Sequence, residues 1–80
     1  MKIKVQFFGH IAELAGCKSY TAELKSSLRV SDVIQILEER FSSLKGANSF
    51  KVAVNTEYAN KNTPVKDGDT ISYIPPVGGG

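Results

Sequence analysis

Eighty residues suit a single domain with a modest core, burying a little over ~60% of the surface its unfolded chain exposes, and leave no interior for a large enclosed active site. A hydrophobic share of 41% with 22% charged residues is a globular composition and excludes a disordered chain. Ten basic residues against eight acidic ones give a net charge of +2, and the lysines are scattered rather than clustered, which excludes a nucleic-acid-binding surface.

Met1 to Phe8 alternates, with Ile3, Val5 and Phe7 on one side and Lys2, Lys4 and Gln6 on the other, which predicts a half-buried strand. Phe8 breaks the pattern by placing an aromatic ring on the polar side. Gly9 to Gly16 reads as a short helical turn, with Ile11, Leu14 and Ala15 at helical spacing and a glycine stop. Ser19 to Leu24 is a second strand, forming a hairpin with the first. Val30 to Leu44 is the clearest helix: Ser31 caps it, Asp32 sits in the positive first turn, and Val33, Ile36, Leu37, Phe41 and Leu44 form its apolar stripe. Lys45 and Gly46 close it, and Ala47 to Ser49 link it to a third strand, Phe50 to Val54. Asn55-Thr56-Glu57 is a turn and Tyr58-Ala59 a short edge segment. Thr63-Pro64 and Asp67-Gly68-Asp69 carry turn signals. The last strand, Thr70 to Ile74, has Ile71 and Tyr73 on one face and Ser72 and Ile74 on the other. The element order implies an α+β fold, a mixed sheet packed on one main helix. Parallel pairing of the first and last strands would make it a β-grasp.

Catalytic constellations are missing from this pattern. One cysteine, Cys17, excludes an internal disulfide, a four-cysteine zinc site and an iron–sulfur cluster held by the chain's own thiolates. His10, alone, argues against a dedicated metal site. Glu38-Glu39-Arg40 reads as a solvated helix face, and Asp67 and Asp69 as turn residues. No apolar run reaches the roughly 20 residues that span a bilayer, and no signal-peptide segment opens the chain, so the expected location is cytoplasmic.

The C-terminal grammar differs from everything before it. Pro75 and Pro76 have fixed φ and no N–H, resist both helix and sheet, and hold Ile74 extended. Gly78, Gly79 and Gly80 form a strip without side chains, able to enter a channel too narrow for a Cβ. The expected division is a folded domain over residues 1–74 and a flexible tail over 75–80.

The ending Pro75-Pro76-Val77-Gly78-Gly79-Gly80 resembles the proline-proline-valine-X-glycine-glycine terminus of molybdopterin synthase small subunits. Phe7-Phe8-Gly9-His10-Ile11-Ala12-Glu13-Leu14-Ala15-Gly16 is similar to that family's first-strand end and first helix. Val54-Asn55 and Asp67-Gly68-Asp69 match two further landmarks in order. Gly9 stands where an alanine is usual, which loosens that strand end. The resemblance implies a ubiquitin-like β-grasp fold and a sulfur carrier in molybdenum cofactor biosynthesis. An E1-like adenylating enzyme would use ATP to adenylate Gly80, sulfur would displace AMP, and the resulting thiocarboxylate would donate sulfur to cyclic pyranopterin monophosphate. The implied partner is the large catalytic subunit, in a heterotetramer. The chain itself would bind no cofactor, no nucleic acid and no membrane, and would not turn over alone. Gly78 and Gly79 would thread the partner's channel, and Phe8, Tyr58, Ile74, Pro75, Pro76 and Val77 would meet the partner. Three other readings stand beside this one: a thiamine-pathway sulfur carrier, a protein modifier joined to lysines through Gly80, and an inert β-grasp binding module.

Overall fold

The computed structural model describes residues 1–47 and 49–76. Alternation along β1 (Lys2–Phe7) buries Ile3, Val5 and Phe7 and leaves the lysines in water. The next segment, α1 (Gly9–Ala15), buries Ile11 and stops at Gly16, whose left-handed φ of 78° and N–H to the Ala12 carbonyl close the helix. β2 (Ser19–Glu23) then returns antiparallel to β1, with Ile3 opposite Ala22 and Val5 opposite Tyr20.

A two-residue strand, β3 (Leu28–Arg29), leads into α2 (Val30–Arg40). The cap differs from the expected one. Ser31 lies inside the first turn, and the Asp32 carboxylate accepts a hydrogen bond from the Arg29 N–H at 2.9 Å. The end differs too: Phe41 leaves the helical path at φ −122°, ψ 79°, and a 3-10 segment, Ser42–Gly46, carries the chain on to Leu44. Leaving the helix sets the Phe41 ring edge-on to Phe7 and Tyr20, with centroids at 5.7 and 5.1 Å. The buried stripe is Val30, Val33 and Leu37, with Ile34 packed against it. Ile36 lies two residues from Ile34, on another side of the helix, and stands outside the core cluster.

The rest of the chain is β4 (Lys51–Val54), β5 (Glu57–Ala59), β6 (Pro64–Val65) and β7 (Thr70–Ile74). Phe50 stands just ahead of its strand. Pro64, read as a turn residue, belongs to a strand, pairing with Arg29 as Val65 pairs with Leu28. These two strands form a small sheet of their own, in which each is an edge strand, and an edge strand tolerates a proline. The main sheet runs β2-β1-β7-β4-β5, with β1 and β7 parallel at the centre and every other pair antiparallel. That is the β-grasp arrangement. Its core joins Ile3, Val5, Phe7, Ile71 and Tyr73 of the sheet to Ile11, Val33 and Leu37 of the helices. Each such side chain contributes about 1.5–3 kcal/mol by leaving water. Among the described residues no helix is long and apolar enough to cross a membrane.

Candidate functional site at the end of the last strand

Strand parity decides which residues meet here. Ile71 and Tyr73 face the helix, so Ser72 and Ile74 face the open side of the sheet. Ser72 lies opposite Ala53 of β4, and Ala53 opposite Tyr58 of β5, which aligns three strands on one face. Phe8 joins them by continuing β1 in an extended conformation, φ −118°, ψ 154°, with its N–H donated to the Tyr73 carbonyl at 3.2 Å. The result is a shallow depression of about 280 Å³. Ala53 and Ser72, small and buried, form its floor. Phe8, Tyr58 and Ile74 rise around it, with Asn55 and Thr56 completing the rim.

Phe8 and Tyr58 are 46% and 66% exposed, the large hydrophobic side chains left in water among the described residues. Three residues distant in sequence, Phe8, Tyr58 and Ile74, thus share one apolar face, as partner-contacting surfaces do. Lys51 Nζ lies 5.3 Å from the Tyr58 ring centre, adding a positive charge beside it. The lining has no carboxylate, imidazole or thiol. Such a surface can bind another protein; it offers no acid, base or strong nucleophile for chemistry.

The chain leaves the sheet beside this face. Pro75 is half-buried and Pro76 exposed. Gly9, at φ +56°, sits so near Pro75 that an added Cβ would come within 3.0 Å of the proline Cγ. The expected looseness at Gly9 is therefore replaced by a close contact that suits glycine. Val77, Gly78, Gly79 and Gly80 lie outside the described residues.

The remaining candidates separate from the site. His10 is exposed at the start of α1, and Cys17 packs half-buried against the core. Asp67 and Asp69 serve the backbone: Asp67 accepts from the Lys2 N–H at 2.7 Å, and Asp69 from the Lys66 N–H at 2.8 Å and the Asn55 amide at 3.1 Å. Arg40 donates to the Tyr20 hydroxyl at 2.5 Å.

One feature beneath the site has no counterpart in the sequence reading. Tyr73, just before the site's Ile74, stacks on Phe50 at 4.9 Å and lies 5.3 Å from Phe7. Its hydroxyl is buried without a hydrogen-bond partner among the described residues. Burial first, and the negative charge of Glu38 second, push this phenol above its ordinary value near 10, so it stays neutral. Its inward position was readable from strand parity. The missing partner was not, because that depends on every element packed around it.

Residues 5–80 match the model of the ThiS family. A molybdopterin synthase sulfur carrier subunit from Chlamydomonas reinhardtii is 32% identical over 83 residues, covering all of both chains. Small archaeal modifier protein 3 from Haloferax volcanii is 29% identical over 92 residues, again covering both chains fully. Among solved structures, the protein–protein complex of subunits 1 and 2 of the molybdopterin-converting factor from Helicobacter pylori includes a chain 33% identical to this one, at a TM-score of 0.73, with both chains fully covered.

Proposed function

The chain belongs to the ThiS family, and from that premise we propose that it is the sulfur-carrier subunit of a molybdopterin synthase. The observation that carries the proposal is one of placement. The apolar face of Phe8, Tyr58 and Ile74 borders the root of a Pro-Pro-Val-Gly-Gly-Gly terminus, in a chain alike from end to end to a carrier of that name. A carboxylate is a poor electrophile, so Gly80 must first be activated. In the proposed sequence a Gly80 oxygen attacks the α-phosphate of ATP on an E1-like enzyme, and pyrophosphate leaves. A donor at the sulfide level then attacks the acyl carbon, AMP leaves, and a thiocarboxylate remains. Gly79 and Gly78 carry this end into the active site of a large subunit, which supplies the acid, the base and the contacts to cyclic pyranopterin monophosphate. The thiocarboxylate sulfur bonds to the pterin side chain with displacement of an oxygen there, water then cleaves the acyl–sulfur bond, and Gly80 returns as a carboxylate. Similarity to one chain of a two-subunit converting factor supports docking on a second subunit.

The test is the intact mass of the chain after incubation with its adenylating enzyme, ATP and a sulfur source. The expected product is heavier by the exchange of one oxygen for one sulfur. An unchanged mass, with the adenylating enzyme proven active on another carrier, defeats the reading. Likeness to a small archaeal modifier supports a second use of the same activated terminus, an isopeptide bond to a lysine. A sulfur carrier for thiamine synthesis differs only in the acceptor. Thiocarboxylated chain offered to each of the two sulfur acceptors, and acyl-adenylated chain offered to lysine, distinguish the three.

A further inference from the structure

Phe8 stands between two depressions rather than at the edge of one. On one side lies the apolar hollow floored by Ala53 and Ser72. On the other, where β1, α1 and β2 meet, is a second hollow of about 660 Å³. Lys4, Gln6, Lys18 and Ser19 line it, and Glu13 is its only carboxylate. Strand parity puts Lys4 and Gln6 on the open side of the sheet, in line with Phe8. Gln6 lies opposite Ser19 on one neighbouring strand and Ser72 on the other, so a row of short polar side chains joins the two hollows.

The charges around this face are one-sided. Lys51 pairs with Ile74 across the strands and lies 5.3 Å from the Tyr58 ring centre, which puts it on one flank of the apolar hollow. Lys4 and Lys18 stand on the other flank, beyond Phe8. All three lysines are exposed. Among the described residues the ion pair formed joins Lys2 to Glu23 at 3.9 Å, and none engages Lys4, Lys18 or Lys51. The pattern is an apolar centre with cations on both sides. An apolar centre excludes water and holds a bound partner, whereas rim charges act at a distance and set how fast the partner arrives. We infer that the docking face continues across Phe8 into the lysine-bordered hollow, and that the large catalytic subunit meets it with an acidic rim. Carboxylates would lie opposite Lys4 and Lys18 on one flank and opposite Lys51 on the other. Glu13 alone does not cancel three lysines, so the face stays positive. A second copy of this chain would bring the same cations and be repelled. The inference rests on the sulfur-carrier reading and gives the surface chemistry of the partner that reading requires.

Stopped-flow binding of the full-length chain to its large subunit tests it, with association and dissociation rates read separately. Raising salt from about 0.01 to 1 M shortens the screening length from about 30 to 3 Å, and wild-type association should slow at least tenfold. At low salt, Lys4→Glu with Lys18→Glu should slow association roughly tenfold while dissociation changes by less than about twofold. Lys45→Glu with Lys66→Glu makes the same change in net charge at exposed residues that line neither hollow, and should stay within about threefold of wild type. Circular dichroism checks the fold of each variant. Should the reversal misfold, Lys4→Gln with Lys18→Gln removes the charges without adding repulsion, and should still slow association severalfold. Association indifferent to salt, faster association on reversal, or equal slowing by the control pair would overturn the inference. A wild-type chain that binds no large subunit at any salt defeats the carrier reading and this inference with it. A complex that forms without these dependences defeats the inference alone.

Discussion

Where β7 begins, polar groups hold it in place. Asn55, in the left-handed region at φ 59°, accepts from the Thr70 N–H at 3.0 Å and donates to Asp69 at 3.1 Å, while its own N–H reaches the Thr70 carbonyl at 2.7 Å. Asp67 and Gly68 tie the start of β1 to the same corner through the Lys2 N–H and carbonyl. Where β7 ends, side-chain hydrogen bonds give way to rings: Phe8 and Tyr58 in water, Pro75 on Gly9, and Tyr73 over Phe50. One end is closed by bonds the chain makes to itself; the other is left apolar, open and next to Pro75. The difference teaches that this small fold divides its labour along one strand. Strand registration is secured at the start, so the finish is free to present a surface.

The largest expected effect that would break this division is at the open end. Phe8→Ala should weaken association with a large synthase subunit by about 1–3 kcal/mol, as loss of an aromatic anchor does. Unfolding in denaturant should change by less than a core truncation's 2–5 kcal/mol. If the variant unfolds readily while titration calorimetry shows unchanged affinity per folded molecule, Phe8 belongs to the core and the two ends are not distinct.

At the closed end the signs should reverse. Asp67→Ala removes the exposed side-chain hydrogen bond to the Lys2 N–H, so it should destabilise the domain by about 0.5–1.5 kcal/mol. Affinity for the partner, measured on folded protein, should stay as it was. A loss of affinity with stability intact would place the interface at the wrong end.

Tyr73→Phe sharpens the contrast with the smallest effect. Among the described residues its hydroxyl has no partner, so removing it should not lower stability at neutral pH. The alkaline limb should differ more. A phenol raised by folding contributes stability that is fully present below its unfolded value near 10 and lost as pH climbs past it, at up to about 1.4 kcal/mol per pH unit. Chemical denaturation at pH 8 through 11 should show the wild type falling faster than Tyr73→Phe above about pH 10. Parallel curves would mean that the hydroxyl finds a partner or water in solution.

Much of this was legible in the residues because it is local. Alternation in Met1 to Phe8 and Thr70 to Ile74 gave the inward and outward faces of the two central strands, and with them the outward placement of Phe8, which is exposed, and of Ile74, which is half-buried. Helical spacing located α2, but its end escaped because Phe41 follows Phe7 and Tyr20, partners on other elements. β3 and β6, two residues each, are too short to show a period. Gly9 read as a loose strand end because its neighbour, Pro75, is supplied from the far end of the chain. The parallel pairing of β1 and β7 needed the fold itself. The chemistry assigned to Gly80 rests on resemblance, since no neighbouring side chain announces it.

A carboxylate that reacts only at the chain's end gives the most direct test. Wild-type protein and a variant extended by several residues past Gly80, shown intact by mass, are each incubated with the adenylating enzyme, ATP and a sulfur source, then with the large subunit and precursor. Wild type should form the acyl-adenylate, gain sulfur and yield molybdopterin. The extended chain should fold identically, dock through Phe8, Tyr58 and Ile74, and do none of the three. Full activity from the uncleaved, extended chain would show that the Gly80 carboxylate is not the reactive group, and the sulfur-carrier account would be contradicted at its centre.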